Sequence, residues 1–132
     1  MNDLRLGWLV GAAGLFHSPD GTAWHQVGEH PFRVTSILRT EERTCVGTGG
    51  GVWEVTAESR WLQLHDETVT EVLDLDAITG DPGLIVASAY GVAVGARDGL
   101  GAVRWSTRTD ELAVDERFTN IIAVDPANDH RW

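Results

Sequence analysis

The sequence predicts an all-β chain assembled from repeated four-stranded antiparallel units, on three observations. Helical periodicity is absent throughout, and the connections are short and rich in Gly, Asp, Asn or Pro. Three segments align without gaps: "LVGAAGLFHS" from Leu9, "CVGTGGGVWEV" from Cys45 and "IVASAYGVAVG" from Ile85. Their valines fall at positions 10, 46 and 86, spacings of 36 and 40. Two further families of segments recur between them in fixed rotation, which is the signature of a repeat architecture.

Each of the three aligned segments reads as a strand, a Gly- or Ala-rich turn and a second strand, labelled b and c. The second family, "VTSILRT" from Val34, "VTEVLDLD" from Val69 and "FTNIIAVD" from Phe118, is labelled a. It opens on a large apolar residue and threonine and runs into paired aliphatics, a pattern suited to a strand buried on both faces. The third family, labelled d, is built round a tryptophan: "TAWHQV" at Trp24, "RWLQL" at Trp61 and "VRWSTR" at Trp105. The chain order is b c d, a b c d, a b c d, a. It gives a b-c-d unit over 5–28, units over 33–65 and 68–108, and a lone strand a over 117–125, within one repeat domain over 1–132. Four-stranded antiparallel units of about 35 to 50 residues are the blades of β-propellers, so the expected architecture is a propeller with about three blades per chain.

Composition narrows the function classes. With 42% apolar residues, 132 residues can build a core. Twenty acids against ten bases give a formal charge of −10. That surface repels phosphate backbones and anionic lipid, so nucleic acid and membranes are not expected partners. All ten bases are arginines. Together with the acid excess this fits a salt-adapted intracellular protein, and arginine-rich codon usage fits equally well. Cys45 is the single cysteine, so no intrachain disulfide forms, and its apolar setting points to a small buried thiol. The N-terminal stretch lacks a basic region and is broken by glycines, so neither a signal peptide nor a transmembrane span is expected, and the expected location is cytoplasmic.

The stretch "HSPDGTAW" carries a more specific signal. Ser18, Asp20, Gly21 and Trp24 resemble the Asp-box of BNR or sialidase-type propellers, one residue shorter than the usual spacing. "ARDGLGAVRW" keeps Asp98, Gly99 and Trp105, and "TAESRW" keeps Thr56 and Trp61 without the Asp-Gly pair. The resemblance implies that the box lies away from a catalytic face and holds a turn. Physically, the aspartate accepts hydrogen bonds from the turn's own N–H groups, glycine supplies positive φ, and the tryptophan packs between blades.

Catalytic chemistry is not readable. A sialidase needs an arginine cluster, an acid and a tyrosine nucleophile, whereas Tyr90, the single tyrosine, sits in a tight b to c turn. Asp74 and Asp76 share one strand face as glycosidase or metal carboxylates would, but "DLD" runs straight into a loop, as solvated acids do. The histidines at 17, 25, 30, 65 and 130 show no metal-ligand spacing, so no metal and no cofactor are expected. "GTGGG" over 47–51 lacks the lysine and helix of a phosphate loop and reads as a hairpin. Trp53, Tyr90, Asp74 and Asp76 are the positions where a ligand-binding role can be placed.

Three blades are too few for a ring, and an open array leaves unpaired sheet edges. The chain begins with b, c and d and closes with an extra a, so each end supplies what the other lacks. The expectation is self-association, a two-fold dimer of six blades, or a piece of a longer propeller. The expected function is a non-enzymatic interaction or ligand-binding scaffold, with a protein or glycan ligand; the alternative is a carbohydrate-binding lectin or glycosidase-related propeller.

Overall fold

Eleven β-strands in three antiparallel sheets make up the computed structural model, which describes residues 3–29, 32–66, 69–109, 112–125 and 127–128. His30, Thr68, His130 and the closing residues 129–132 lie outside the described residues. The first sheet holds β1 (Trp8–Gly11), β2 (Leu15–Ser18) and β3 (His25–Gln26). The second holds β4 (Val34–Arg39), β5 (Thr44–Thr48), β6 (Gly51–Val55) and β7 (Trp61–Gln63). The third holds β8 (Val72–Ala77), β9 (Pro82–Ser88), β10 (Gly91–Arg97) and β11 (Val103–Thr107). Each sheet is a meander in chain order, no barrel closes, and the only helical element among the described residues is a 3-10 turn at Val114–Glu116.

Of the strands inside the second and third sheets, β5 and β9 are buried along their whole length, as strands with packed layers on both faces are. The hairpins that join them to β6 and β10 are made alike. The Thr48 hydroxyl donates to the Gly51 carbonyl at 2.9 Å and accepts from the Gly50 N–H at 3.0 Å. Ser88 repeats both bonds with Gly91 at 3.0 Å and Tyr90 at 3.2 Å. Gly51 and Gly91 have φ of 101° and 118°, which side-chain-bearing residues rarely adopt.

Two apolar clusters lie at the two boundaries between sheets. Leu15 and Val27 of the first sheet meet Val34, Val46 and Val55 of the second. Cys45, Val52 and Leu64 of the second meet Val72, Val86 and Trp105 of the third. The close approach of neighbouring sheets depends on two glycines. A Cβ at Gly11 would lie 2.5 Å from Val34 Cγ1, and one at Gly47 2.6 Å from Val72 Cγ1. Those distances are shorter than any van der Waals contact, so the strand-a valine sits where a side chain would be.

The register of the strand-a family differs from the alignment on threonine. Val34 pairs with Thr48, then Ser36 with Gly47 and Ile37 with Val46. Val72 pairs with Ser88, then Asp74 with Ala87 and Leu75 with Val86. The equivalent of Val34 is therefore Val72, three residues beyond Val69, and Thr35 and Leu73 are the extra residues of matching β-bulges. Threonine was a misleading anchor because the bulge, not the hydroxyl, sets the pairing.

The segment over 117–125 is not the strand expected there. It forms no ladder, and only Asp125 at its end makes an isolated bridge, with Asn128, among the described residues. Its docking nonetheless repeats that of a strand a. The N–H of Thr119 donates to the Ser88 carbonyl at 3.1 Å as that of Val34 does to Ala12 at 2.8 Å. The Ile122 N–H donates to the Asp74 carboxylate at 3.1 Å as the Leu75 N–H does to the Ser36 hydroxyl at 3.2 Å. Thr119 rather than Phe118 thus occupies the place of Val34 and Val72, and Ile122 the place of Ile37 and Leu75. β4 and β8 become strands by pairing with the strand b that follows each of them; no such strand follows 117–125 among the described residues, and Phe118 and Ile121 stay exposed.

Candidate interaction surface

The tryptophans of strand d occupy one structural position. Trp61 lies opposite Val55, and Trp105 opposite Gly95. Each indole N–H reaches back to the sheet before it: Trp61 to the Val27 carbonyl at 2.9 Å, Trp105 to the Leu64 carbonyl at 3.0 Å. Val27 and Leu64 are themselves equivalent, since their N–H groups donate to Leu15 and Val52 at the start of strand c. Trp105 is buried and Trp61 half-buried. Trp24 breaks the expectation of a buried row. It is 43% exposed, with no hydrogen-bond partner for its indole among the described residues. The reason is positional: no sheet stands in front of the first one among the described residues.

Trp24 is not alone on that face. Side chains alternate along β1, and while Leu9 packs into the cluster against the second sheet, Trp8 and Val10 point the other way, 61% and 45% exposed. Sequence reading passed over this pair, although the alternation of "WLVG" was there to be used once β1 was seen to match Thr44–Thr48. At the opposite end of the array, the N–H of Arg108 donates to Val92 at 2.8 Å. That bond puts Arg108 in the position of Val27 and Leu64, with a carbonyl that accepts no bond among the described residues.

The turn acids are occupied by their own backbone. Asp20 Oδ1 accepts from the Thr22 N–H at 2.9 Å, the Ala23 N–H at 3.3 Å and the Ser18 hydroxyl at 3.1 Å, while the Ser18 hydroxyl accepts from the Gly21 N–H at 2.8 Å. Gly21 has φ of 83°. The Thr22 N–H, with its neighbours, holds the Asp20 carboxyl well below the usual carboxylate range. Asp98 repeats the device, accepting from Leu100 at 2.8 Å and Ala102 at 3.0 Å and ion-pairing with Arg104 at 3.2 Å. The Leu100 N–H is the main cause of its lowered pKa. Gly99 lies in that turn with open space where a Cβ would be.

The remaining sequence candidates do not converge. Trp53 is half-buried in an aromatic group, stacked on Phe32 at 5.9 Å and edge-on to Trp61 at 6.3 Å and His65 at 5.3 Å. Tyr90 is 67% exposed at the tip of a hairpin. Asp74 and Asp76 are half-buried, not solvated strand-end acids. Asp74 accepts from Ser36 and Leu75 at 2.9 Å, and Asp76 from the Val124 N–H at 3.1 Å and its neighbour Ala77 at 2.8 Å. Together the two carboxylates tether the 117–125 segment.

The loops between strands a and b line two clefts of about 420 and 410 Å³. Arg43 lies between them, 3.5 Å from Glu54 and 3.7 Å from Asp81, and Asp81 also pairs with Arg97 at 3.1 Å. The arginines in their walls, Arg5 and Arg43, are paired with acids, and no histidine, cysteine or serine lines either cleft. Among the described residues no group of three metal-ligating side chains occurs, and no helix is long and apolar enough to cross a membrane. Cys45, fully buried, is pushed up to about 12 by burial, with Glu54 adding to the shift. No protein-family model matches the chain, and neither a curated protein nor a solved structure is found to match it.

Proposed function

We propose that the chain is a non-enzymatic interaction scaffold of the β-propeller type, contributing three blade units and the innermost strand of a fourth, and that it works as an assembly of its own copies. One observation carries this reading. The two sheet boundaries inside the chain are built from the same contacts, and the donor and acceptor groups that make those contacts are left unfilled at the array's two ends. The self-bonded turn at Ser18, Asp20 and Gly21 supports the assignment of this stretch as an Asp-box with a structural role. Against an enzyme stands the use of every candidate acid in holding backbone. Against a lectin stands the stacking of Trp53 on Phe32, which leaves that ring no open platform.

A panel of chromogenic glycosides, sialosides included, together with a glycan array tests the reading on the intact protein. No turnover and no retained glycan is the expected result. Turnover lost on substituting Asp74 or Asp76, or a glycan retained and then lost in Trp53→Ala, would replace it with the glycosidase or lectin alternative.

A further inference from the structure

The repetition of contacts from sheet to sheet determines what would fit the two open ends. We propose that the exposed side of β1 is the docking site for the 119–124 segment of a second copy of this chain, paired antiparallel with Ile122 opposite Val10 and Val124 opposite Trp8. In the same joint, the Trp24 indole of the first copy donates to the Arg108 carbonyl of the second. The inference rests on the propeller reading above and adds to it a partner, a register and a hydrogen bond.

The register follows from β4 and β5, where Ile37 lies opposite Val46 and Arg39 opposite Thr44. Ile122 stands where Ile37 does, as its N–H bond to Asp74 shows, and Val124 is then the counterpart of Arg39. On the other strand, Gly11 lies opposite Leu15 as Gly47 lies opposite Val52. Val10 and Trp8 are therefore the counterparts of Val46 and Thr44. β1 pairs on one side only, with β2, so its outer edge is open to strand addition.

Side chains agree with that pairing. Val46 and Ile37 belong to the cluster between the first two sheets. Their counterparts Val10 and Ile122 would join Trp24 over the outward side of the third sheet, where Val92 replaces Leu15. Val10 and Trp24, 45% and 43% exposed, have nothing else to cover them among the described residues. Trp24 takes the place of Trp61 and Trp105, and Arg108 offers the carbonyl that Val27 and Leu64 offer to those rings. Each hydrogen bond at the joint is thus one that the chain already makes twice within itself.

The occupant is a second copy rather than the same chain's own end. Joining 119–124 to β1 within one chain would close a ring of three units, whereas propellers take about four to eight blades. Two copies give six units and two identical joints related by a two-fold axis.

Light scattering on the eluting protein should give twice the chain mass at micromolar concentration. Trp24→Phe, which removes the indole N–H and keeps a ring, should weaken the dimer by about tenfold or more, since the bond occurs twice. Leu100→Ala, on a far turn and 93% exposed, should leave it unchanged. The register is read by cysteine pairs under oxidation, with buried Cys45 left in place. Val10→Cys with Ile122→Cys should cross-link two chains, and Val10→Cys with Ala123→Cys, on opposite faces, should not. A folded monomer, or a cross-link that leaves the monomer mass, overturns the proposal. A folded dimer with the opposite cross-linking pattern overturns the register and the Trp24 bond while leaving a self-assembling scaffold in place. Should a cysteine pair prevent folding, the Trp24→Phe titration decides alone, and an unweakened dimer counts against the joint.

Discussion

Trp105 donates its indole N–H to the carbonyl of Leu64 at 3.0 Å across a sheet boundary, and its six-membered ring lies over Gly95, where a Cβ would meet it at 2.8 Å. The ring is 6% exposed. Trp105→Ala is expected to cost about 3–5 kcal/mol, as large aromatic truncations do. Gly95→Ala should also destabilise, because the ring must move to admit a methyl group. Urea unfolding of both variants checks this; an unchanged midpoint for either would mean that the boundary is not held by this ring.

The Asp20 carboxyl is held below its ordinary value of 3.8 by the Thr22 N–H and its neighbours. A depressed folded-state value means stability that is present in full above the unfolded value and is lost as pH falls through the folded one. The stability difference between the wild-type protein and Asp20→Asn should therefore be constant near neutrality and shrink below about pH 4. Urea midpoints measured from about pH 7 down to about pH 2 would show it. A difference that grows on acidification would contradict the assignment.

Burial pushes the Cys45 thiol up to about 12, so little thiolate exists near neutral pH and no reagent can reach it. A disulfide reagent at about pH 8 should leave the folded protein unmodified and label one thiol per chain in denaturant. Prompt labelling of the folded protein would show that the second boundary opens.

Asp74→Ala deprives the Ser36 hydroxyl and the Ile122 N–H of their acceptor. A loss of about 1–3 kcal/mol is expected for donors left unpaired, with faster amide hydrogen exchange at Ile122 and Val124 than elsewhere in the chain. Equal acceleration across all three sheets would argue that the carboxylate supports the fold at large rather than this segment.

The all-β class and the strands b, c and d could be read from the sequence because they carry local signals. The Gly-rich turns, the alternation around Trp61 and Trp105 and the Asp-Gly pair at Asp20 each act over a few residues. Strand a was harder. Its position depends on bulges at Thr35 and Leu73 that leave no mark in composition, so an alignment on threonine slipped by three residues at Val69 and by one at Phe118. Neither the exposure of Trp24 nor the tethering role of Asp74 and Asp76 could be read locally, because each depends on which sheet stands next to it. Trp24 has the same sequence surroundings as a boundary tryptophan and lacks only the neighbour.

Contacts between the sheets run from β1 to β4 and from β4 and β5 to β8, in chain order. An array of that kind behaves like a short one-dimensional lattice, in which each unit's stability is its own plus the coupling to the units beside it. The second sheet, coupled on both sides, should then be the last to open, and the first, with three short strands and one coupled face, the first. Such a chain comes apart from its ends inward, and any partner that seats against β1 supplies the coupling its first sheet lacks.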